Sequence, residues 1–218
     1  IVQLKGVNLG NYLLLEPWMM GEGDAFTKGR RDPDAYKGKY YDDWTIREYL
    51  GNRTEAALDA YQQAYIKDND LDNIMRLGFN FVRLPIYYRD ICDLNTAGAW
   101  TCNNNFNFEE IDRIVEAAAD RGIYVLLDLH GAPGAQGPEF HTGRTSYDQP
   151  APGFKHQLFN PADATYRTRT RELWQKIAEH YKNNTTVVGY DLLNEPTGFE
   201  AYSNPGDFSL LHAIYSDL

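Results

Sequence analysis

The chain has 218 residues, 43% of them hydrophobic and 14% aromatic, enough for one sizeable core and short for two ordinary domains with a linker. Its formal net charge of -10 works against nucleic acid and anionic membrane surfaces, both of which need basic patches, and fits a neutral ligand better. No apolar run approaches the roughly 20 residues that cross a bilayer, and Ile1 opens the chain without a charged or apolar signal segment, so a mature or trimmed chain is expected.

Strand and helix patterns alternate along the chain. Val2 to Val7 reads as the first strand, and the Gly6-Val-Asn-Leu-Gly10 stretch has glycines without the spacing of a dinucleotide phosphate turn. Thr54 is placed to cap a helix with Leu58, Tyr61 and Tyr65 on one face, and Leu71, Ile74 and Met75 continue that pattern to Gly78. Phe79 to Ile86 follows as the second strand. Asn107 caps the next helix, with Glu110 at N3, an inward stripe of Ile111, Ile114, Val115 and Ala118, and Gly122 at its close. Ile123 to Leu129 is the third strand. A helix from about Asp163 to Tyr181 then carries Leu173, Trp174, Ile177 and Tyr181 inward; Val187 to Leu193 is the fourth strand, and a last helix begins near Asp207. The strands are apolar runs rich in branched and aromatic residues, as strands covered on both faces should be. Four βα units of this kind make either an open doubly wound sheet or half of a (β/α)8 barrel, which typically needs about 250 residues. The connections Tyr87 to Asn107 and Gly131 to Ala162 are long and rich in Gly, Pro, Asn and aromatics, as binding loops on a rigid scaffold tend to be.

The chemistry concentrates at the ends of those strands, where parallel α/β folds build their sites. In Tyr190-Asp-Leu-Leu-Asn-Glu-Pro196 the fourth strand stops at Asn194 and Glu195, because Pro196 cannot continue the ladder. A glutamate at a partly desolvated rim is a candidate acid and base; the plainer reading is a solvated loop carboxylate. Arg83 near the end of strand two offers a guanidinium fork to hold a carboxylate ionised, and His130 immediately after strand three can donate to a sugar hydroxyl. A structural ion pair and a satisfied loop histidine are the competing readings for these two. Trp18, Tyr87, Tyr88 and Trp100 fall in or beside the same loops, where flat rings stack on pyranose faces or pack beneath the loops. Cys92 and Cys102, the two cysteines of the chain, are expected to form a disulfide, pointing to an oxidising compartment and so a secreted or periplasmic protein. The five histidines show no zinc-like pairing, so no metal is expected; no cofactor motif occurs, and no Gly-x-Ser-x-Gly elbow supports a serine hydrolase. Sequons at Asn52, Asn183 and Asn184 decide nothing.

Four segments in register, Gly6 to Trp18, Phe81-Val-Arg-Leu-Pro85, Asp128-Leu-His-Gly-Ala-Pro-Gly-Ala-Gln136 and Leu193-Asn-Glu-Pro196, resemble family 5 glycoside hydrolases over nearly the whole chain. The resemblance implies a (β/α)8 barrel of which residues 1–218 supply the first four βα units, the N-terminal half of the catalytic domain. It implies retention of anomeric configuration, with Glu195 as acid/base, Arg83, His130 and Asn194 around the reaction centre, and Glu16 among the substrate-binding residues. The wording looks most like the exo-acting β-1,3-glucanase branch, which related endo-β-1,4-glucanases partly share. The family's nucleophile glutamate follows the seventh strand and has no counterpart here, so a complementary C-terminal half-barrel, as chain or fragment, is the expected partner, with a β-glucan oligo- or polysaccharide as substrate. The rival reading is a non-catalytic carbohydrate-binding or interaction fragment.

Overall fold

The computed structural model describes residues 3–20, 42–144 and 156–218. Its strands are β1 (Gly6–Asn8), β2 (Phe81–Tyr87), β3 (Tyr124–Gly131) and β4 (Val187–Asp191), all parallel and neighbouring in sequence order. That order has no reversal, so the sheet lacks the switch point of a doubly wound fold and curls one way, as a barrel wall does. The helices are α1 (Asp43–Leu50), α2 (Thr54–Tyr65), α3 (Asp68–Arg76), the single turn α4 (Tyr88–Ile91), α5 (Glu109–Ala119), α6 (Thr165–Tyr181) and α7 (Ser209–Asp217).

Period-two alternation sorts the strands into two faces. Val82, Leu84, Ile86, Val125, Leu127 and Leu129 are fully buried in one core with Leu71, Ile114, Leu173 and Ile177 from the helices. Each such side chain contributes about 2 kcal/mol of transfer free energy. The opposite face carries Arg83, Leu126 and Asp128 and is open enough that Arg83 stays a quarter exposed. Gly189 pairs with Leu126 and a Cβ on it would meet Leu126 Cδ1 at 3.1 Å, which puts β4 in the same alternation. β4 is the edge of the described sheet, and Val188 and Tyr190 are exposed on it.

Several expectations shift by a few residues. β1 is three residues long, and Val2 lies outside the described residues. β4 ends at Asp191, before Leu193. The helical pattern from Thr54 to Gly78 is two helices, because Ile66 is extended at φ -111 and the Asp70 carboxylate accepts from Lys67 N at 2.9 Å to begin α3 anew; Met75 is consequently 44% exposed rather than inward. Thr54 opens α2 without capping it: its hydroxyl donates back to Gly51 O and Arg47 O at 2.7 and 3.0 Å. Asn107 Oδ1 accepts from Glu109 N at 3.0 Å and starts α5 as expected in kind, although Phe108 stands between.

The helix α1 has a sequence signal that its surroundings hid. Asp42 accepts from Thr45 N at 2.7 Å while Thr45 Oγ1 accepts from Asp42 N, a reciprocal cap on a short helix with little apolar periodicity. Buried Ile46 packs α1 against Leu15 and Leu58, and charge adds a second tie. Arg47, only 7% exposed, ion-pairs with Asp43 and, at 2.6 Å, with Asp90 from α4, while Asp43 Oδ2 accepts from Leu15 N at 2.9 Å and so holds the loop after β1. Cys92 and Cys102 are joined, closing the loop that leaves α4.

Burial pushes the Asp90 carboxyl up to about 6 against the opposing pull of Arg47, and its Oδ2 has no hydrogen-bond partner among the described residues. A carboxyl raised on folding contributes stability that is complete below its unfolded value near 4 and lost as pH rises through 6. Urea unfolding should therefore show wild type losing up to about 3 kcal/mol relative to Asp90→Asn between pH 4 and pH 7, about two pKa units of linkage. A stability difference that stays flat over that interval would contradict the assignment.

Candidate active site

Arg83 gathers the open face. Its Nη1 lies 2.9 Å from Asp128 Oδ2 on β3 and donates to Asn8 Oδ1 on β1 at 3.2 Å; its Nη2 donates to Asp191 Oδ2 on β4 at 2.8 Å and to Asn194 Oδ1 at 2.9 Å. One guanidinium thus touches a polar group from every other strand or its loop, which a lysine point charge has no geometry to do. Register explains the meeting: Asn8 pairs with Arg83, and Asp128 with Asp191.

His130 sits two residues beyond Asp128 on the same face. Its Nδ1 is 2.5 Å from Asp128 Oδ2, and its Nε2 is 3.3 Å from Asn194 Nδ2. With Nδ1 protonated and donating to the carboxylate, Nε2 is the acceptor that Asn194 can serve, so the contacts select one tautomer. Burial raises the Asp128 carboxyl above the usual carboxylate value even though His130 and Arg83 pull the other way, and its Oδ1 has no hydrogen-bond partner among the described residues. Arg83 and His130 thus both depend on a single, fully buried carboxylate.

The loop after β4 is pinned to the loop after β3. Asn194 N donates to Leu129 O at 3.1 Å; the fully buried Gln136 accepts from Ala132 N at 3.0 Å and donates from Nε2 to His130 O and Asn194 O at 2.7 and 2.9 Å. Gly198 N then donates to Gln136 O at 2.7 Å, an approach so close that a Cβ at Gly198 would lie 2.7 Å from that oxygen. Between these ties Glu195 takes φ +43, a left-handed conformation that costs a non-glycine residue of order 1 kcal/mol and is held only because its neighbours are fixed. Its Oε2 lies 3.3 Å from His141 Nε2.

The site therefore has a largely buried, hydrogen-bonded floor with the Glu195 carboxyl at its exposed edge. Residues 45–204 match the sequence profile of the cellulase family, glycosyl hydrolase family 5. The chain belongs to glycosyl hydrolase family 5. Among relatives of this hydrolase chain, a glucan 1,3-beta-glucosidase of Lachancea kluyveri is 30% identical over 199 residues, covering 89% of this chain and 42% of that protein. A sporulation-specific glucan 1,3-beta-glucosidase of Saccharomyces cerevisiae is 31% identical, covering 90% and 41%, and a beta-xylosidase of Phanerodontia chrysosporium is 29% identical, covering 90% and 36%. The chain spans about two fifths of the length of the curated relatives it matches. Among solved structures, rutinosidase from Aspergillus niger superimposes with a TM-score of 0.70 at 17% identity over 98% of this chain and 58% of that one, and AoRut with 0.65 at 20% over 89% and 49%. The four βα units are those of a (β/α)8 barrel.

The structure brings Arg83, His130 and Asn194 together and sets Glu195 at their edge, 70% exposed rather than at a desolvated rim, because β4 is the edge of the described sheet. Glu16 is buried at the end of the loop after β1, its N–H donating to Asn11 Oδ1 at 2.7 Å. The rings fare differently from the expected stacking platform. Trp100 lies on the outer helices, donating from Nε1 to Glu172 of α6 at 2.8 Å and meeting Phe106 edge-on. Tyr87 is 1% exposed beneath Gly131 and Gly143, and Tyr88 is 5% exposed, with burial holding both phenols well above their usual titration range. Trp18 has its side chain outside the described residues. Sequence reading passed over Asp128, Asp191, Gln136 and His141; the period-two step from His130 back to Asp128 was the one available signal. Among the described residues no cluster of potential metal ligands occurs, and no helix is long and apolar enough to cross a membrane.

Gln136→Ala would leave three buried backbone groups without partners. The expected loss is on the order of 3 kcal/mol in chemical denaturation; a change below about 0.5 kcal/mol, the range of neutral surface substitutions, would show that Gln136 does not brace the two loops.

Proposed function

We propose that this chain is the acid/base-bearing part of a retaining β-glucan hydrolase, with β-1,3-glucan the favoured substrate. The observation that carries the proposal is the single hydrogen-bonded unit from Arg83 through Asn194 to the strained Glu195 at the C-terminal ends of the strands, in a family whose matched relatives include glucan 1,3-beta-glucosidases. Glu195 protonates the glycosidic oxygen as the bond to the anomeric carbon breaks, then removes a proton from the water that releases the glycosyl enzyme. Asn194, with its carbonyl oxygen committed to Arg83, has its amide left to face His130 and a sugar hydroxyl. Arg83 ion-pairs with both Asp128 and Asp191 and keeps that geometry rigid.

Retaining chemistry also needs a carboxylate about 5–5.5 Å from the acid/base. Asp128 and Asp191 are both counter-ions of Arg83 and unsuited to attack. The nucleophile is therefore assigned to the later strands of the barrel, on a complementary C-terminal half that also covers the β4 edge with its exposed Val188 and Tyr190. The Cys92–Cys102 bridge favours an oxidising compartment and hence secretion or the periplasm. An endo-β-1,4-glucanase of the same family is the alternative, and the choice of glucan separates the two.

On laminarin and on a soluble cellulose derivative, the 218-residue chain should be inactive alone and active once a fragment carrying strands five to eight completes it, with laminarin the better substrate. In the completed enzyme Glu195→Gln should lower turnover roughly 10²- to 10⁴-fold while leaving folding intact. Steady turnover by the lone chain, or wild-type rates for Glu195→Gln on a glucan, would sink the proposal.

A further inference from the structure

We propose that His141 is a positioning residue for Glu195, donating from Nε2–H to Glu195 Oε2 and thereby committing the other carboxyl oxygen to proton transfer; this rests on Glu195 being the acid/base. Nε2 and Oε2 are 3.3 Å apart, an ion-pair contact rather than an aligned hydrogen bond, and His141 is 15% exposed while Glu195 is 70% exposed, so the histidine is the fixed member and the glutamate the one in need of fixing. A long carboxylate side chain standing in solvent samples several rotamers, and catalysis through it depends on one of them.

The frame around His141 is rigid. It occupies a 3-10 turn, Phe140–Thr142, in which Thr142 Oγ1 donates to Glu139 O at 2.8 Å and Gly143 N to Phe140 O at 3.0 Å. Gly143 closes the turn at φ +84 directly on the Tyr87 ring, so close that a Cβ there would lie 2.5 Å from Cε2, and Gly143 O accepts from Trp44 N at 2.9 Å. The buried Tyr87 ring and the Trp44 backbone N–H in the first turn of α1 thus anchor the turn that presents the histidine. His141 also meets the His130 ring edge-on at 6.2 Å and Phe140 at 5.6 Å, which limits its rotation. Among the described residues, its contact with the His130 ring links it to Asp128 and Arg83.

The direction of the bond follows from the chemistry. If Nε2 were an acceptor it would take the proton that Glu195 must deliver to the glycosidic oxygen; with Nε2 protonated, the acid proton stays on the other oxygen. After that proton has gone to the leaving group, the same N–H stabilises the carboxylate until a water proton restores the acid. The tautomer is therefore the testable element.

Two measurements decide it. In the 15N-histidine-labelled chain, long-range proton–nitrogen spectra should show His141 with Nε2 protonated, and Glu195→Gln should move the His141 ring resonances while leaving those of His180 and His212 in place. An unresponsive His141, or a bare Nε2, overturns the contact without reference to activity. In the active enzyme His141→Phe should lower kcat/KM about tenfold on glycosides with poor leaving groups and less than twofold on dinitrophenyl glycosides, which need no acid, with His141→Gln restoring most of the loss. Equal losses on both substrates would mean a merely structural role. Wild-type turnover by Glu195→Gln, with the spectral response intact, would instead remove the acid/base reading on which the role depends.

Discussion

A guanidinium on the open face of a parallel sheet must find counter-charges, and Arg83 on β2 finds two on one side, Asp128 on the neighbouring β3 and Asp191 on β4 beyond it. Removing one partner from such a set leaves an uncompensated charge, which is far more damaging than the net worth of the pair. The remaining donors of the fork go to Asn8 and Asn194, so that the ends of β1, β3 and β4 are placed relative to β2 by one side chain. The relative placement of the strands and the position of the Glu195 loop are thereby coupled.

The coupling extends outward through backbone. Asp128, fully buried, serves His130 as well as Arg83, and Gln136 carries the position of His130 across to Asn194 through their carbonyl oxygens. Glu195 inherits its place from this lattice of buried bonds without sharing in the burial. An exposed carboxyl above a largely buried floor suits the proton-transfer role proposed for Glu195, since full burial of the carboxyl would oppose its charged form. The helices contribute a different term: the apolar side of the sheet, with Leu84, Leu127 and Ile177 fully buried, supplies the stability against which the strained turn at Glu195 is held.

Much of this was legible in the residues. The apolar runs gave the four strands within a few positions, and Pro196 located the end of the last one near Asn194 and Glu195. Arg83 and His130 were found because each lies at a strand end, where the side-chain type matters more than its partners. What stayed hidden depended on pairing across the sheet. Asp128 and Asp191 look like two strand aspartates until register sets them side by side within reach of Arg83 on β2. Gln136 and His141 sit in an irregular loop, for which no periodicity exists to read. Trp100 shows the opposite failure: its position in a rim loop suggested a platform, but an indole N–H needs an acceptor, and Glu172 on α6 draws it to the outer layer. Helix α1 escaped because its apolar contact is small, Ile46 and Leu50 against Leu15 and Leu58, and a charged cluster around Arg47 adds to it.

The central claim is that Glu195 acts as acid and then base in a double displacement. Its most direct test is the configuration of the sugar first released, followed by proton NMR before mutarotation, when the active enzyme cleaves a β-glucan. The account predicts the β-anomer first, with the α-anomer growing in only at the mutarotation rate; an α-anomer as the initial product would mean a single displacement by water and would contradict it.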